Sequence, residues 1–307
     1  MIPNLQFYSI YLSNHFKIKS QIAAYFLDLN EDQTNSFLYE SGLTVNHIEF
    51  IKTIKIDLIQ AFYQSVESLF GLMSGLENLD SNRNIPDYLI NAKIGDLHNF
   101  ISSFEKFDFC YEYLSNKDTE INGKTYSKVE VIFYFITLVI SDFPNTNLNQ
   151  ILDEKNVKGI AHILFSIANA FNREAHNSIK HGLRCMLIDK LNISVNIPDS
   201  DNSEPLEIPE DFTNFAGQKD VLLYYTKGPK GDNVATVVCV PINIKHILYL
   251  ENSLNLLMAN MMDQRDIVFG KEKPDTFQCS IFDYDDLIKN KFDSNSNFKS
   301  IRFGSPQ

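Results

Sequence analysis

The chain has 307 residues, of which 44% are hydrophobic and 12% aromatic, so it can bury one large core or two smaller ones. Its formal net charge of −12 at pH 7 argues against attraction of the whole surface to nucleic acid or anionic lipid, so any phosphate contact has to be local. The four cysteines form no C-x-x-C pair, which excludes the common zinc and redox spacings. This cysteine usage and an N-terminus without a signal-peptide pattern favour a cytoplasmic location.

Apolar residues recur at helical spacing in the first part of the chain. The longest pattern predicts a helix from Val45 to Asn78, with a break near Gly71 or Gly75. A second helix is predicted to begin at Pro86 and Asp87, both typical first-turn residues, and to continue past the apolar residues that follow.

The middle of the chain contains a turn and two further predicted helices. Asn122-Gly123 marks a tight turn, which is consistent with a small hairpin in "NKDTEINGKTY". The run "VIFYFITLVI", Val131 to Ile140, is shorter than the ~20 residues that cross a bilayer and predicts a buried core helix. The next helix is expected from Val157 to Leu187.

After Leu187 the apolar pattern changes from helical spacing to alternation, which indicates strands. The alternating segments are "LNISVNI", "DVLLYYT" and "VATVVCV", and "KGPKGDN" joins the last two as a hairpin loop. A final helix is predicted from Ile244 to Phe269. We expect it to cover the hairpin, because an isolated hairpin is marginally stable in water.

These elements predict a mainly α fold: a helical bundle with a C-terminal antiparallel β hairpin and a packing helix, hence an α+β class. The predicted organisation is a helical bundle over residues 1–188, followed by the hairpin and C-terminal helix over residues 189–307, packed on the bundle as one unit.

Positive charge is concentrated in one stretch of this acidic chain, "NREAHNSIKHGLR", which contains a single carboxylate. On a helix at about 100° per residue, six of its polar side chains fall within an arc of roughly 140°. These residues are Arg173, His176, Asn177, Lys180, His181 and Arg184. A solvated helix surface would have a similar composition, because helix C-termini favour Lys, Arg and His.

The order of residues in this stretch resembles the motif helix of HEPN domains, α-helical bundles of prokaryotic defence, toxin and RNA-processing proteins. Their usual motif is Arg, a polar residue that is often Asn, three variable residues, and His. Asn177 matches the polar position and His181 the histidine, whereas His176 stands at the arginine position. Arg173 or Arg184, one turn away on the same face, could supply a guanidinium. The resemblance covers residues 40–188 at most.

The resemblance implies metal-independent RNA cleavage at a composite site formed by two motif helices in a homodimer. It implies His181 as the proton-transfer residue and no metal or cofactor; His176, which replaces the family arginine, could share the acid and base roles. The candidate substrate-binding residues on the same face are Arg173, Asn177, Lys180 and Arg184. Histidine suits proton transfer, and guanidinium presents a planar fork to phosphate. The implied partners are RNA, a second copy and a neutralising partner protein, as in a toxin–antitoxin or other defence system, without a membrane. The alternative is a catalytically inactive dimeric scaffold or interaction protein.

Acidic residues offer two further interpretations. Glu67 lies in an otherwise apolar stretch, "SVESLFGL". If it is buried it requires a cation, for which the basic helix is the candidate; a surface position is the preferred interpretation. The segment "FDYDD", with Asp283, Asp285 and Asp286, is interpreted as an exposed acidic turn or helix start rather than a cation site.

Overall fold

The computed structural model describes residue 7 and residues 14–77, 85–121, 123–138, 148–180, 185–190, 219–227, 235–269, 276–289 and 299–304. The described residues are mainly helical and include small antiparallel sheets, which confirms the predicted α+β class. None of the described helices is both long enough and apolar enough to span a membrane.

Helices and strands are numbered in chain order over the described residues. The helices are α1 (Asn14–Asp28), α2 (Glu31–Glu40), α3 (His47–Leu76), α4 (Ile85–Asn91), α5 (Ile94–Ser103), α6 (Phe107–Ser115), α7 (Lys128–Phe133), α8 (Leu148–Ile151), α9 (Glu154–Ala170), α10 (Arg173–Lys180), α11 (Ile244–Phe269) and α12 (Tyr284–Lys289). The strands are β1 (Thr119–Ile121), β2 (Lys124–Tyr126), β3 (Cys185–Lys190), β4 (Lys219–Lys227), β5 (Ala235–Pro241), β6 (Thr276–Ile281) and β7 (Lys299–Gly304).

The central element is α3, a helix of 30 residues that begins with a capping box at Asn46. It is continuous through Gly71 and Gly75, so the predicted break at these glycines is wrong. A Cβ atom at Gly75 would overlap the side chains of Ile85 and Tyr88 in α4. The glycine therefore permits close approach of a neighbouring helix instead of interrupting its own.

The core is one continuous cluster of buried side chains centred on α3, α9 and α11. Helix α1 and helix α11 both pack against α3. The bounds of α11 are those predicted from its apolar pattern, and it buries Leu250, Leu254, Leu257, Met258 and Met261. Burial of each such side chain contributes about 1.5–3 kcal/mol. The cluster contains residues from both predicted segments, 1–188 and 189–307.

Two helices are shorter than the apolar pattern predicts. The predicted helix from Pro86 onward is divided into α4, which ends at Asn91, and α5, which begins at Ile94. The apolar run from residue 131 is not one core helix, because α7 ends at Phe133 and Phe135–Leu138 form a 3-10 turn. These residues can be buried without a continuous helix, because a side chain elsewhere in the fold donates hydrogen bonds to the carbonyl oxygens of Val131 and Ile132.

The C-terminus of α7 is completed by two buried side chains of α11. Arg265 is completely buried and donates hydrogen bonds to the carbonyl oxygens of Val131, at 2.6 Å, and Ile132, at 2.8 Å. Gln264 Nε2 donates to the Phe133 carbonyl oxygen at 2.9 Å. The last carbonyls of a helix have no partner within the helix, and a cation is favoured at that end. Helix α11 therefore supports α7 through hydrogen bonds as well as apolar contacts.

Both predicted hairpins are present. Strands β1 and β2 pair antiparallel, with Ile121 opposite Lys124 and a positive φ of 75° at Gly123, while Asn122 lies outside the described residues. Strands β4 and β5, the predicted C-terminal hairpin, also pair antiparallel, with Leu222 opposite Val240. The predicted strand "LNISVNI" lies outside the described residues.

The larger sheet has the order β3-β4-β5, so β4 is its central strand. Strand β3 precedes the predicted "LNISVNI" strand and pairs with β4. The helix that packs most extensively on β4 is α10, whereas the sequence predicts that α11 covers the hairpin. Strands β6 and β7 form a separate antiparallel pair that the sequence pattern did not predict.

The acidic segment at residues 282–286 is a helix start, in agreement with its interpretation. Asp283 Oδ1 accepts a hydrogen bond from the backbone N–H of Asp285 at 3.0 Å, at the beginning of α12. A side-chain oxygen in this position satisfies donors that the first turn leaves free.

Candidate functional site

The predicted helix that contains the HEPN-like stretch is divided into two helices in the structure. Phe171 and Asn172 separate α9 from α10, and Asn172 Oδ1 accepts a hydrogen bond from Ala175 N at 2.9 Å. Asn172 therefore acts as the N-cap of α10. Because of this break, and because β3 begins before Leu187, the predicted continuous helix from Val157 to Leu187 is wrong.

Three of the predicted substrate-binding residues form one exposed stripe on α10. Arg173, Asn177 and Lys180 are four and three residues apart, so they lie on the same helix face, and all three are exposed. We call these residues the α10 stripe. The remaining predicted residues on this face, His181 and Arg184, lie outside the described residues.

His176 does not belong to this exposed stripe. Its side chain is completely buried, and its Nε2 atom lies 3.2 Å from Oε2 of Glu67 in α3. The ring is in edge contact with Tyr63, at 5.5 Å between centroids, and lies 6.0 Å from Phe171. The residue at the arginine position of the family motif is thus turned into the protein and offers no surface to RNA.

Glu67 is the meeting point of three basic side chains from two helices. Its Oε1 lies 2.9 Å from His98 Nε2 in α5, and its Oε2 lies 3.1 Å from Lys180 Nζ in addition to its contact with His176. We call Glu67, His98, His176 and Lys180 the Glu67 cluster. The Glu67 side chain is only 15% exposed and is paired with the basic helix, so the surface position that the sequence favoured is wrong.

The electrostatics of the cluster keep Glu67 ionised. Burial by itself raises the pKa of the Glu67 carboxyl, but its interactions with His176, His98 and Lys180 lower this pKa to about 2. An effective general base has a pKa near the working pH, so Glu67 is a poor proton acceptor at neutral pH. Its role in this geometry is to hold α10 and α5 against α3.

Both imidazoles have buried ring nitrogens without a hydrogen-bond partner. Within the described residues these are Nδ1 of His98 and both ring nitrogens of His176, although His176 Nε2 lies 3.2 Å from the Glu67 carboxylate. An imidazole with a carboxylate on one nitrogen and a free second nitrogen is an arrangement that serves proton transfer in enzymes. Here both rings are enclosed, so no substrate reaches them in this arrangement.

His98 is the member of the site that sequence analysis did not identify. It is a single histidine next to Leu97 in an amphipathic segment, and no spacing along the chain connects it to residues 67 or 176. Only the packing of α5 against α3 brings it to Glu67. In the described part of the chain, no three His, Cys, Asp or Glu side chains are placed to hold a metal ion.

The chain matches no protein-family model, no curated protein and no solved structure. Its function therefore has to be inferred from the α10 stripe, the Glu67 cluster and the motif that contains them.

Proposed function

We propose that this chain is an RNA-directed, HEPN-like module of a prokaryotic defence or stress system, acting in the cytoplasm as a homodimer. It binds the phosphate backbone of RNA through the α10 stripe. The observation that carries this proposal is the alignment of Arg173, Asn177 and Lys180 on the exposed face of a helix whose other side is anchored in the core.

The side chains of the stripe suit phosphate recognition. Arg173 presents a planar fork of donors, Lys180 a point charge and Asn177 an amide donor. Arg173 forms no ion pair within the described residues, whereas Lys180 shares its charge with Glu67. Because the chain carries a net charge of −12, the surrounding surface repels RNA and binding depends on this stripe.

Cleavage is a separate activity from binding. The burial of His176 gives no support to its catalytic role, so a cleavage activity would depend on His181, which matches the histidine of the family motif. Such an activity would be insensitive to metal chelators, as the resemblance implies. Glu67 would act as a positioning residue for Lys180 and not as the base.

The alternative function, a catalytically inactive dimeric scaffold, is favoured by one observation. His176 stands at the arginine position and is used for an internal ion pair, so the motif residues serve to fasten α10 to α3. A scaffold would use the anchored helix but would not bind RNA. Measurement of RNA binding therefore separates the two functions.

We expect the Arg173→Glu/Asn177→Asp variant to bind single-stranded RNA at least about tenfold more weakly at moderate salt, because phosphate contacts are lost while the Glu67 cluster stays intact. The slope of log binding constant against log salt concentration, measured by fluorescence anisotropy, should also become shallower by an amount that corresponds to the loss of about one phosphate contact. The matched control is Lys124→Glu/Asn35→Asp, which makes the same charge change at exposed positions. Lys124 lies near the N-terminal end of α9, whereas α10 follows the C-terminal end of α9. The Lys124 substitution therefore changes charge at the other end of this helix.

Equal weakening in both variants would show that RNA responds only to net charge, and would contradict the assignment to α10. No RNA binding by the unchanged protein would favour the scaffold function.

A further inference from the structure

The turn between α2 and α3 exposes an unusual number of large apolar side chains. Tyr39 is 87% exposed, and Leu43, Val45 and Ile48 are also exposed, although all four fall within ten consecutive residues. We call residues 39–48 the α2–α3 tip. Single exposed apolar side chains are common, but a group of this kind marks an interaction surface.

The backbone of the tip is held at both ends. Helix α2 ends where Gly42 adopts a positive φ of 68° and the N–H of Leu43 donates to the carbonyl oxygen of Leu38 at 2.9 Å. This pattern is a glycine-dependent helix stop. Asn46 then caps α3. The tip therefore presents its side chains from a structured turn, which lowers the entropy cost of binding.

Three half-buried aromatic rings join the helices that carry the tip. Phe26 of α1 lies 4.8 Å from Phe37 of α2 and 5.1 Å from Phe50 of α3, measured between ring centroids. Such edge and tilted contacts contribute about 0.5–1.5 kcal/mol each beyond burial. The apolar side chains outside are thus displayed on a packed base and not on a free loop.

The charged side chains next to the apolar residues of the tip are acidic. Residues 39–49 include no Lys or Arg, and both of their acidic residues, Glu40 and Glu49, are exposed. We call these two carboxylates the acidic rim. An apolar surface flanked by carboxylates is complementary to a partner that combines apolar and basic side chains.

We infer that the α2–α3 tip docks a basic amphipathic helix of a different protein. Tyr39 provides the central anchor, because exposed tyrosine supplies a large contact area with few rotatable bonds and is enriched at binding hot spots. The acidic rim pairs with lysine and arginine side chains that flank the apolar face of the partner helix.

The same charges exclude other occupants. Glu40 and Glu49, on a chain with a net charge of −12, repel RNA and anionic lipid headgroups. A second copy of this chain, placed by twofold symmetry, would bring the acidic rim against itself. Docking at the tip is independent of the proposed RNA function, because it uses neither the α10 stripe nor the Glu67 cluster.

The apolar contribution can be tested with a synthetic helix that has leucine on one face and lysine on the other. We expect it to bind the unchanged protein, and to bind Tyr39→Ser/Ile48→Ser at least tenfold more weakly. The control variant Ile90→Ser/Ile94→Ser removes two exposed apolar side chains from another surface and should bind normally. No binding to the unchanged protein, or equal binding to both variants, would overturn the inference.

The charge contribution is tested with a separate pair of variants. Glu40→Lys/Glu49→Gln keeps a residue that can complete the α3 capping box, and should weaken binding of the lysine peptide at least tenfold. Glu105→Lys/Glu112→Gln makes the same charge change elsewhere on the surface and should not weaken binding. Equal binding of a peptide with glutamate in place of lysine would overturn the inference. The inference would also be overturned if the unchanged protein were a dimer and Tyr39→Ser/Ile48→Ser made it a monomer. That result would show that the tip binds a second copy of this chain.

Discussion

Replacement of Arg265 by methionine is expected to lower the free energy of unfolding by about 3–5 kcal/mol. Methionine fills most of the space but leaves the carbonyl oxygens of Val131 and Ile132 buried without these donors. Each buried acceptor without a partner costs about 1–3 kcal/mol. The variant also loses the contact of the guanidinium with the Phe135 ring, whose centroid lies 4.5 Å away.

The stability of the Arg265→Met variant can be measured by urea and thermal unfolding, with a decrease of about 10 °C expected in the melting temperature. The control is Arg173→Met, because Arg173 is exposed and should change the unfolding free energy by less than about 0.5 kcal/mol. Similar stability of the two variants would mean that the buried guanidinium does not hold the C-terminus of α7.

Replacement of Glu67 by glutamine is expected to cost about 3 kcal/mol of stability at pH 7. This magnitude follows from the lowering of the Glu67 pKa from its ordinary value of 4.5 to about 2, at about 1.4 kcal/mol for each tenfold change in proton affinity. Glutamine has the same shape but no charge, so Lys180 would lose its counter-ion, and His98 and His176 would lose the carboxylate that they contact.

The pH dependence gives a second signature of Glu67. Because its pKa is lower in the folded protein than in the unfolded chain, its stabilisation is fully present above about pH 4.5 and is lost as the pH falls toward 2. The difference in stability between the unchanged protein and Glu67→Gln should therefore shrink over this range. Glu112→Gln, at an exposed position, serves as the control and should show little difference at any pH. A difference for Glu67→Gln that stays constant from pH 7 to 3 would contradict the assigned role of this carboxylate.

The helices with strong apolar periodicity were predictable. The bounds of α11 followed directly from the spacing of residues such as Leu250, Leu254 and Leu257, because the periodicity of a buried helix face is a local property. The ends of α3 were predicted within two residues. Its glycines were misinterpreted, because close approach of α4 at Gly75 depends on residues outside the local pattern.

The candidate site was only partly predictable. The exposure of Arg173, Asn177 and Lys180 agrees with a polar helix face, but His176 lies at the border of that face, where tertiary packing decides its direction. The break before α10 had a local signal that was missed, since Asn172 is a favourable N-cap residue. Which residues would pair with Glu67 depended on the packing of α5 and α10 against α3, which no sequence spacing shows.

The Glu67 cluster connects the fold to the proposed function. It fastens α10 to the central helix through His176 and Lys180, and Arg173 and Asn177 of the α10 stripe remain exposed. Anchoring of this kind keeps binding groups in place before the ligand arrives, so less entropy is lost on binding. His176 would contribute to RNA binding only by positioning the helix.

The most direct test of the RNA-binding claim is photo-crosslinking of the protein to single-stranded RNA that contains 4-thiouridine, followed by mass spectrometry of the peptides. We expect adducts to concentrate in the segment from Arg173 to Arg184 and to decrease in the Arg173→Glu/Asn177→Asp variant. Adducts concentrated elsewhere on the chain, or the absence of adducts at RNA concentrations in the micromolar range, would contradict the claim.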